Sequence, residues 1–427
     1  MTRRRMLEAV AGTIATIALT ACSLAPPFST APSTASNRAP IERDAAAHYK
    51  LLYAFGRNGK PDDGRTPLAN LVAIGDTLYG TTAYGGTTSG GCSVGCGTLF
   101  RVSRAGSEVV LHRFTSGASD GAIPIAGPIA AGGALYGTTS AGGGARTCAG
   151  GCGTVFASNP RGNTRVLHRF GGGSDGAQPA AALISVNGVL YGTTTNGGRS
   201  TPCPMGCGTV FSLSPTGANE KVIYEFKGGA DGEQPAGTLV ALGGELYGTT
   251  QYGGRRTPFC ATGCGTVFRL EPDGGGETVL YRFAYGPRNP DGAYPAAGLT
   301  AVSGVLYGTA AGGGLGGGTV FSIRASDKAQ RTLHFFDPSA NDGVHPDARL
   351  VLVNGLLYGT TRDGGTRTGG TIFQISRGGT ERVLYSFAGK PDGARPQAEL
   401  SSLAGTLYGT TALGGATSGG TVFGFTP

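Results

Sequence analysis

Four short motifs recur seven times, in a constant order, between residues 51 and 427, so the chain has to fold as an array of seven like units. The clearest is Leu-Tyr-Gly-Thr, which starts at Leu78, Leu135, Leu190, Leu246, Leu306, Leu357 and Leu407, at spacings of 50 to 60 residues. An Asp-Gly-x-x-Pro motif starts at Asp63, Asp120, Asp175, Asp231, Asp291, Asp342 and Asp392. Gly-Thr followed by an aliphatic residue and phenylalanine ends at Phe100, Phe156, Phe211, Phe268, Phe321, Phe373 and Phe423. The fourth is an apolar-aromatic-x-Phe run, as in Leu52-Tyr53-Ala54-Phe55 and Leu384-Tyr385-Ser386-Phe387. The 80 glycines among 427 residues would suggest disorder in an aperiodic chain, but here they recur as turn punctuation beside aromatic and β-branched residues.

Each motif is a run of Val, Leu, Tyr, Phe and Thr bounded by Gly, Asp or Pro, which is the pattern of a short strand. Strand a follows the Asp-Gly-x-x-Pro turn, strand b holds Leu-Tyr-Gly-Thr, strand c holds Gly-Thr-x-Phe and strand d the last aromatic run. Asn187-Gly188 and Asn354-Gly355, just before strand b, favour two-residue hairpins because both central positions need positive φ. Four antiparallel strands per unit of this length predict an all-β, seven-bladed β-propeller of four-stranded blades. The array begins with a strand d at Leu51–Phe55 and ends with a strand c at Gly420–Phe425. The ring is therefore expected to close by pairing the N-terminal strand d with the C-terminal a-b-c blade, which removes open sheet edges.

Residues 1–22 read as a lipoprotein signal peptide: Arg3, Arg4 and Arg5 precede a mostly apolar run from Met6 to Ala21 that is too short to span a bilayer. Leu19-Thr20-Ala21-Cys22 resembles a lipobox, with Cys22 as the lipidated residue. Residues 23–48, rich in Ala, Pro, Ser and Thr, are expected to form a flexible tether, and residues 49–427 the propeller. These features predict an exported, lipid-anchored envelope protein at the outer membrane or cell surface, whose membrane partner is reached through the N-terminal lipid.

The units resemble the GloVer repeats of the choice-of-anchor tandem-repeat bacterial proteins, through Asp392-Gly393, Pro396, Leu407-Tyr408-Gly409-Thr410-Thr411, Gly414-Gly415 and Gly420-Thr421-Val422-Phe423 and their counterparts in every unit. The resemblance covers the chain from about residue 50 onward. It implies surface display and a repeat fold, and brings with it no catalytic residues.

Eight cysteines fall in Cys-x-x-x-Cys pairs in the b-to-c loops of units one to four: Cys92 with Cys96, Cys148 with Cys152, Cys203 with Cys207, and Cys260 with Cys264. Local disulfides in an oxidising compartment are expected, since two thiolates per loop without a nearby histidine fall short of a zinc site. No metal and no cofactor are expected.

In a four-stranded blade the b-to-c and d-to-a connections emerge on one face. Arg146, Arg199, Arg255 and Arg256 lie in the b-to-c loops and, with a net charge of +8, suggest an acidic polysaccharide or a lipid head group as partner. A second candidate site is the residue before each recurrent proline: Thr66, Ile123, Gln178, Gln234, Tyr294, His345 and Arg395, which vary while the framework repeats. The polar members Gln178, Gln234, Tyr294, His345 and Arg395 are the binding candidates. The seven aspartates are expected to form Asx turns, and His112, His168 and His334 to serve as packing residues. The leading expectation is a monomeric, non-catalytic binding or scaffolding propeller for acidic glycans or a surface protein, with no nucleic acid involved. The alternative is a polysaccharide lyase or hydrolase at the channel mouth; of the acidic residues near that mouth, Glu233 alone stands outside the repeat.

Overall fold

The computed structural model describes residues 48–56, 61–88, 91–199, 202–287 and 290–427. The expected signal peptide with Cys22 and nearly all of the expected tether lie outside the described residues. Seven four-stranded antiparallel sheets form the seven blades of a β-propeller, with helix among the described residues confined to His48 and four single 3-10 turns.

In blade 1, strands a to d are Val72–Ile74, Thr77–Thr82, Thr98–Ser103 and Glu108–Arg113. The same order repeats in the next five blades, whose b strands are Ala134–Thr139, Val189–Thr194, Glu245–Thr250, Val305–Ala310 and Leu356–Thr361. Blade 7 is composite. Its strands a to c are Ser401–Leu403, Thr406–Thr411 and Thr421–Phe425, and its strand d is the N-terminal Tyr49–Ala54, paired from Tyr49 opposite Phe425 to Ala54 opposite Thr421. The expected closure is therefore present. Asn187-Gly188 and Asn354-Gly355 have φ of 50° and 78°, and 50° and 83°, as two-residue hairpins between strands a and b require.

The repeated residues explain themselves through packing. The leucine of each Leu-Tyr-Gly-Thr motif is fully buried and the tyrosine nearly so. Its glycine lies beneath the phenylalanine of strand c: a Cβ on Gly409 would sit 2.5 Å from Phe423 Cζ. In six blades the second threonine after the glycine shares a hydroxyl hydrogen bond of 2.7–2.9 Å with the strand c threonine, as in Thr82–Thr98 and Thr411–Thr421, while blade 5 has Ala310 there. The first threonine reaches the next blade, where Thr81, Thr138, Thr249, Thr309, Thr360 and Thr410 donate to the carbonyl two residues after the recurrent proline, just before strand a, such as that of Ala126.

A phenylalanine at the end of each strand d meets the strand c phenylalanine of the following blade edge to face. Phe55–Phe100, Phe114–Phe156, Phe170–Phe211, Phe226–Phe268, Phe283–Phe321, Phe336–Phe373 and Phe387–Phe423 have centroids 5.0–5.3 Å apart. This geometry is the favoured one for aromatic pairs. The pair Phe55–Phe100 belongs to the closure itself, because Phe55 ends the N-terminal strand.

The four cysteine pairs are disulfides with Cα atoms 5.1–5.3 Å apart, each stapling the b-to-c loop of blades 1 to 4. The glycine before the second cysteine is required by close approach. A Cβ at Gly95, Gly151, Gly206 or Gly263 would collide with the backbone where the same loop leaves strand b.

If closure carries the same packing as the other interfaces, Phe55→Ala should destabilise the protein by about 3–5 kcal/mol, the usual cost of emptying a buried Phe site. Phe226→Ala, at an internal interface, should match it. Urea denaturation of both variants measures this, and a cost below about 1 kcal/mol for Phe55→Ala alone would mean the ring is not locked there.

Candidate functional site

The b-to-c and d-to-a loops share one face, here termed the loop face, while the a-to-b and c-to-d turns occupy the other. His48 and Thr426 meet on the turn face through a backbone hydrogen bond of 3.0 Å. The loop face is where the unrepeated residues gather.

All seven residues before the recurrent prolines are left-handed, with φ of 56–62° from Thr66 to Arg395. A residue preceding proline resists this conformation, and each instance costs on the order of 1–3 kcal/mol. Two backbone hydrogen bonds hold it. The N–H donates to the preceding blade, at Cys96, Cys152, Cys207 or Cys264 after a stapled loop and at Gly317, Gly369 or Gly419 after a short one. The carbonyl accepts from the end of strand b in its own blade, as Gln178 does from Thr195 and His345 from Arg362. The strain belongs to the scaffold because it occurs in every blade, including those carrying Thr66 and Ile123.

The channel wall is formed by the residues just after each proline, one step below the predicted arc. They line a central cavity of about 160 Å³. Blades 1 to 5 contribute Leu68, Ala69, Asn70, Ile125 and a run of Ala, Gly and Thr residues as far as Gly298. Blades 6 and 7 contribute Asp347, Arg349, Gln397 and Glu399 instead. All the charge of the channel wall thus comes from two adjacent blades.

Above it, the same sector continues as an ion network. Arg362 donates from Nη1 to Asp347 at 3.0 Å and from Nε to Asp363 at 2.8 Å. Asp363 also meets His345 Nδ1 at 3.1 Å and lies 3.6 Å from Arg395 Nε. Deeper, Arg349 Nε stands 3.8 Å from Glu399 and 3.4 Å from the Thr300 hydroxyl. Burial pushes the Asp347 carboxyl above its ordinary range, with Arg362 and His345 only partly opposing it. Burial pushes Glu399 upward too, against Arg349. Asp363 moves the other way: burial raises it, but hydrogen bonds from Arg362 and His345 outweigh burial and hold it ionised.

The structure separates the predicted site residues into three groups. His345 and Arg395 are joined through Asp363. Tyr294 stands beside Tyr252, with centroids 5.6 Å apart, and donates to the Phe259 carbonyl at 3.2 Å. Gln178 accepts from the Asn196 side chain, and Gln234 is half-buried on blade 4. Arg146, Arg199, Arg255 and Arg256 are all exposed on the loops of blades 2, 3 and 4, where Arg199 lies 3.9 Å from Glu225. Among the described residues no bond joins any two of these four.

Two sequence-level expectations are corrected. Glu233 is not the distinctive acid of the mouth, since Asp347, Asp363 and Glu399 converge there. The readable signal was at the first and third positions after the proline, where Asp347, Arg349, Gln397 and Glu399 replace residues that are uncharged in units one to five. The seven aspartates, in turn, reach back to the strand d aromatic rather than cap an Asx turn. Tyr53, His112, His168, Tyr224, Tyr281, His334 and Tyr385 contact them at 2.7–3.2 Å. His112, His168 and His334 also stack edge to face on Phe114, Phe170 and Phe336, as packing residues do.

His168, Asp175 and Glu220 bring potential metal donors within 4.8 Å of one another, as do His334, Asp342 and Glu381. The same interface position carries Tyr224, Asp231 and Glu277 in another blade, so the grouping follows the repeat rather than a ligand set.

Fold and site together define a closed, seven-bladed repeat propeller with a decorated loop face. The Gloeobacter/Verrucomicrobia repeat matches residues 83–317 and 260–427, and the chain belongs to that family. No curated protein matches the chain. Among solved structures, it is similar to the extracellular domain of a protein described as the hybrid two component system BT4673 from B. thetaiotaomicron. That likeness has a TM-score of 0.52 and 8% identity over 88% of this chain and 39% of the other. The puromycin hydrolase S511A mutant complexed with PGG gives a TM-score of 0.49 at 14% identity, over 82% of this chain and 51% of the other. A nidogen/laminin complex gives 0.39 at 15%, over 65% and 91%. At these identities the likeness concerns the fold alone.

The upward shift of Glu399 has a testable sign. Its folded form holds a proton over a pH range in which the unfolded chain has released it, so stability falls as pH rises from the ordinary carboxylate range through the raised folded value. Glu399→Gln should flatten that part of the profile of thermal midpoint against pH. An unchanged profile would show that Glu399 ionises normally.

Proposed function

We propose that this protein is an exported, non-catalytic binding propeller whose loop face recognises acidic glycans. The carrying observation is charge: the seven b-to-c loops hold six arginines, Arg146, Arg199, Arg255, Arg256, Arg362 and Arg367, against one carboxylate, Asp363. Asp363 is already engaged by Arg362 and His345, and Glu225 lies 3.9 Å from Arg199, which leaves Arg146, Arg255 and Arg256 as an exposed cationic arc over blades 2 and 4. Such a surface attracts polyanions over long range, with an affinity that falls as salt rises.

Apolar residues accompany the arginines. Among the described residues, the large apolar side chains more than half exposed are Val94, Met205, Phe259 and Leu315, all in b-to-c loops. Phe259 packs edge to face on Tyr285 at 5.6 Å, offering a ring edge to a sugar face beside Arg255 and Arg256. The disulfides support an extracellular location, because such bonds persist in oxidising compartments. Lipidation of Cys22 fits this reading. Strand d of blade 7 begins at Tyr49 on the turn face, opposite the arginines.

One observation favours a lyase as the second reading: His345 is oriented by Asp363 at 3.1 Å, as a general base is.

Binding of polygalacturonate, alginate and neutral glucan to the full chain in detergent, at low and physiological salt, tests the proposal. The polyanions should bind and the glucan should not. Replacing Arg199, Arg255 and Arg256 by alanine should weaken polyanion binding about tenfold or more, each tenfold being about 1.4 kcal/mol. Equal binding of neutral glucan, or indifference to salt, would sink the reading. Unsaturated uronate ends in the incubated polymer would transfer the assignment to the lyase.

A further inference from the structure

We infer that the mouth over blades 6 and 7 is a distinct pocket for one carboxylated sugar unit of the uronic-acid class. This rests on the acidic-glycan reading above and adds to it a residue-level subsite.

The charges in this sector are not required by the fold. Five blades build the same channel positions from uncharged residues, with the same hydrogen-bonded framework around them. Partly buried ion pairs seldom improve on apolar packing, because desolvation offsets their attraction. A cluster confined to two neighbouring blades, at three successive heights, therefore points to a ligand. His345 and Arg395 stand at the rim, Arg362 and Asp363 beside them at the end of strand b, and Asp347 with Glu399 in the wall below.

The groups suit a uronate. Asp363 holds Arg362 through Nε, and Asp347 holds it through Nη1, so this guanidinium is immobilised before any ligand arrives. Arg395 lies against the other Asp363 oxygen at 3.6 Å through Nε, while its side chain is 55% accessible. Its outer edge is thus turned toward solvent with two N–H-bearing nitrogens, the fork that binds a carboxylate bidentately. The central cavity of about 160 Å³ lies below these groups and shares Asp347 with them. Asp347 and Glu399 line the cavity, and their carboxyl groups are available as acceptors for sugar hydroxyls there.

The test is calorimetric titration of the full chain in detergent with galacturonic acid, its methyl ester, glucose and inorganic sulfate. Galacturonate should bind, while the ester and glucose should bind at least about tenfold more weakly. Sulfate should not compete at equal concentration. Arg395→Ala, at an exposed rim position, should remove the preference for acid over ester, and Arg395→Lys should restore only part of it, since a point charge replaces a fork. Lys221→Ala, on the exposed outer strand of blade 3, should leave the titration unchanged. Equal binding of ester and acid, displacement by sulfate, or no heat with any monosaccharide would overturn the inference. Polygalacturonate binding on the same samples keeps the two readings apart. Polymer binding unaffected by Arg395→Ala, with no monosaccharide bound, would end this inference and leave the arginine rim standing. Absence of polymer binding in the unsubstituted protein would end the rim reading, while the galacturonate titration still decides the pocket.

Discussion

Everything on the loop face depends on one contact made seven times: the edge-to-face meeting of a strand d phenylalanine with the strand c phenylalanine of the next blade. It closes the ring between Phe55 and Phe100 at the same spacing as elsewhere, so no interface is a seam. The glycine of each Leu-Tyr-Gly-Thr motif exists to let the strand c ring lie flat over strand b, and the neighbouring leucine and tyrosine fill the space on either side. The conspicuous motif of the chain is therefore a packing device, and its regularity carries no information about ligand.

Once the aromatic contacts set the spacing of the blades, the backbone can cross between them at fixed points. The N–H of each residue before a proline lands on a carbonyl of the preceding blade, and the left-handed backbone it demands is sustained by that bond and by the one to strand b. Because both bonds are backbone to backbone, the side chain at this position is free to vary. The scaffold thus supplies seven equivalent mounting points around the mouth, and chemistry is placed by substitution at a few of them. His345 and Arg395 are two such substitutions, completed by Arg362 and Asp363 at the strand b exit.

The stapled loops and the charged sector occupy different arcs of the same face. Disulfides lie in blades 1 to 4, whose b-to-c loops are long, while the ion network sits where the loops of blades 6 and 7 are short. Short loops leave the mouth uncovered, which is what a pocket in the channel needs. Long ones require a covalent brace to hold arginines and apolar tips away from the body of the disc, since the loop has little core of its own.

The period, the four strands of each unit, the ring closure and the cysteine pairs were all legible in the order of residues, because each depends on alternation, turn chemistry or short spacing along the chain. The rim arginines and the varying residues before the prolines were legible as positions, but not as partners. Asp363 was hidden because its meaning lies in contacts to His345, in its own blade, and to Arg395, fifty residues from His345 on the next. Asp347 and Glu399 read as ordinary strand residues until blade tilt turns the first and third positions after the proline toward the axis. The aspartates of the Asp-Gly turns were assigned to the turn they begin, whereas folding brings the preceding strand d within reach of the same carboxylate. Local geometry is written in neighbouring residues; which charges face one another is settled by how the blades stand around the channel, and that orientation comes from packing between units that no single repeat encodes.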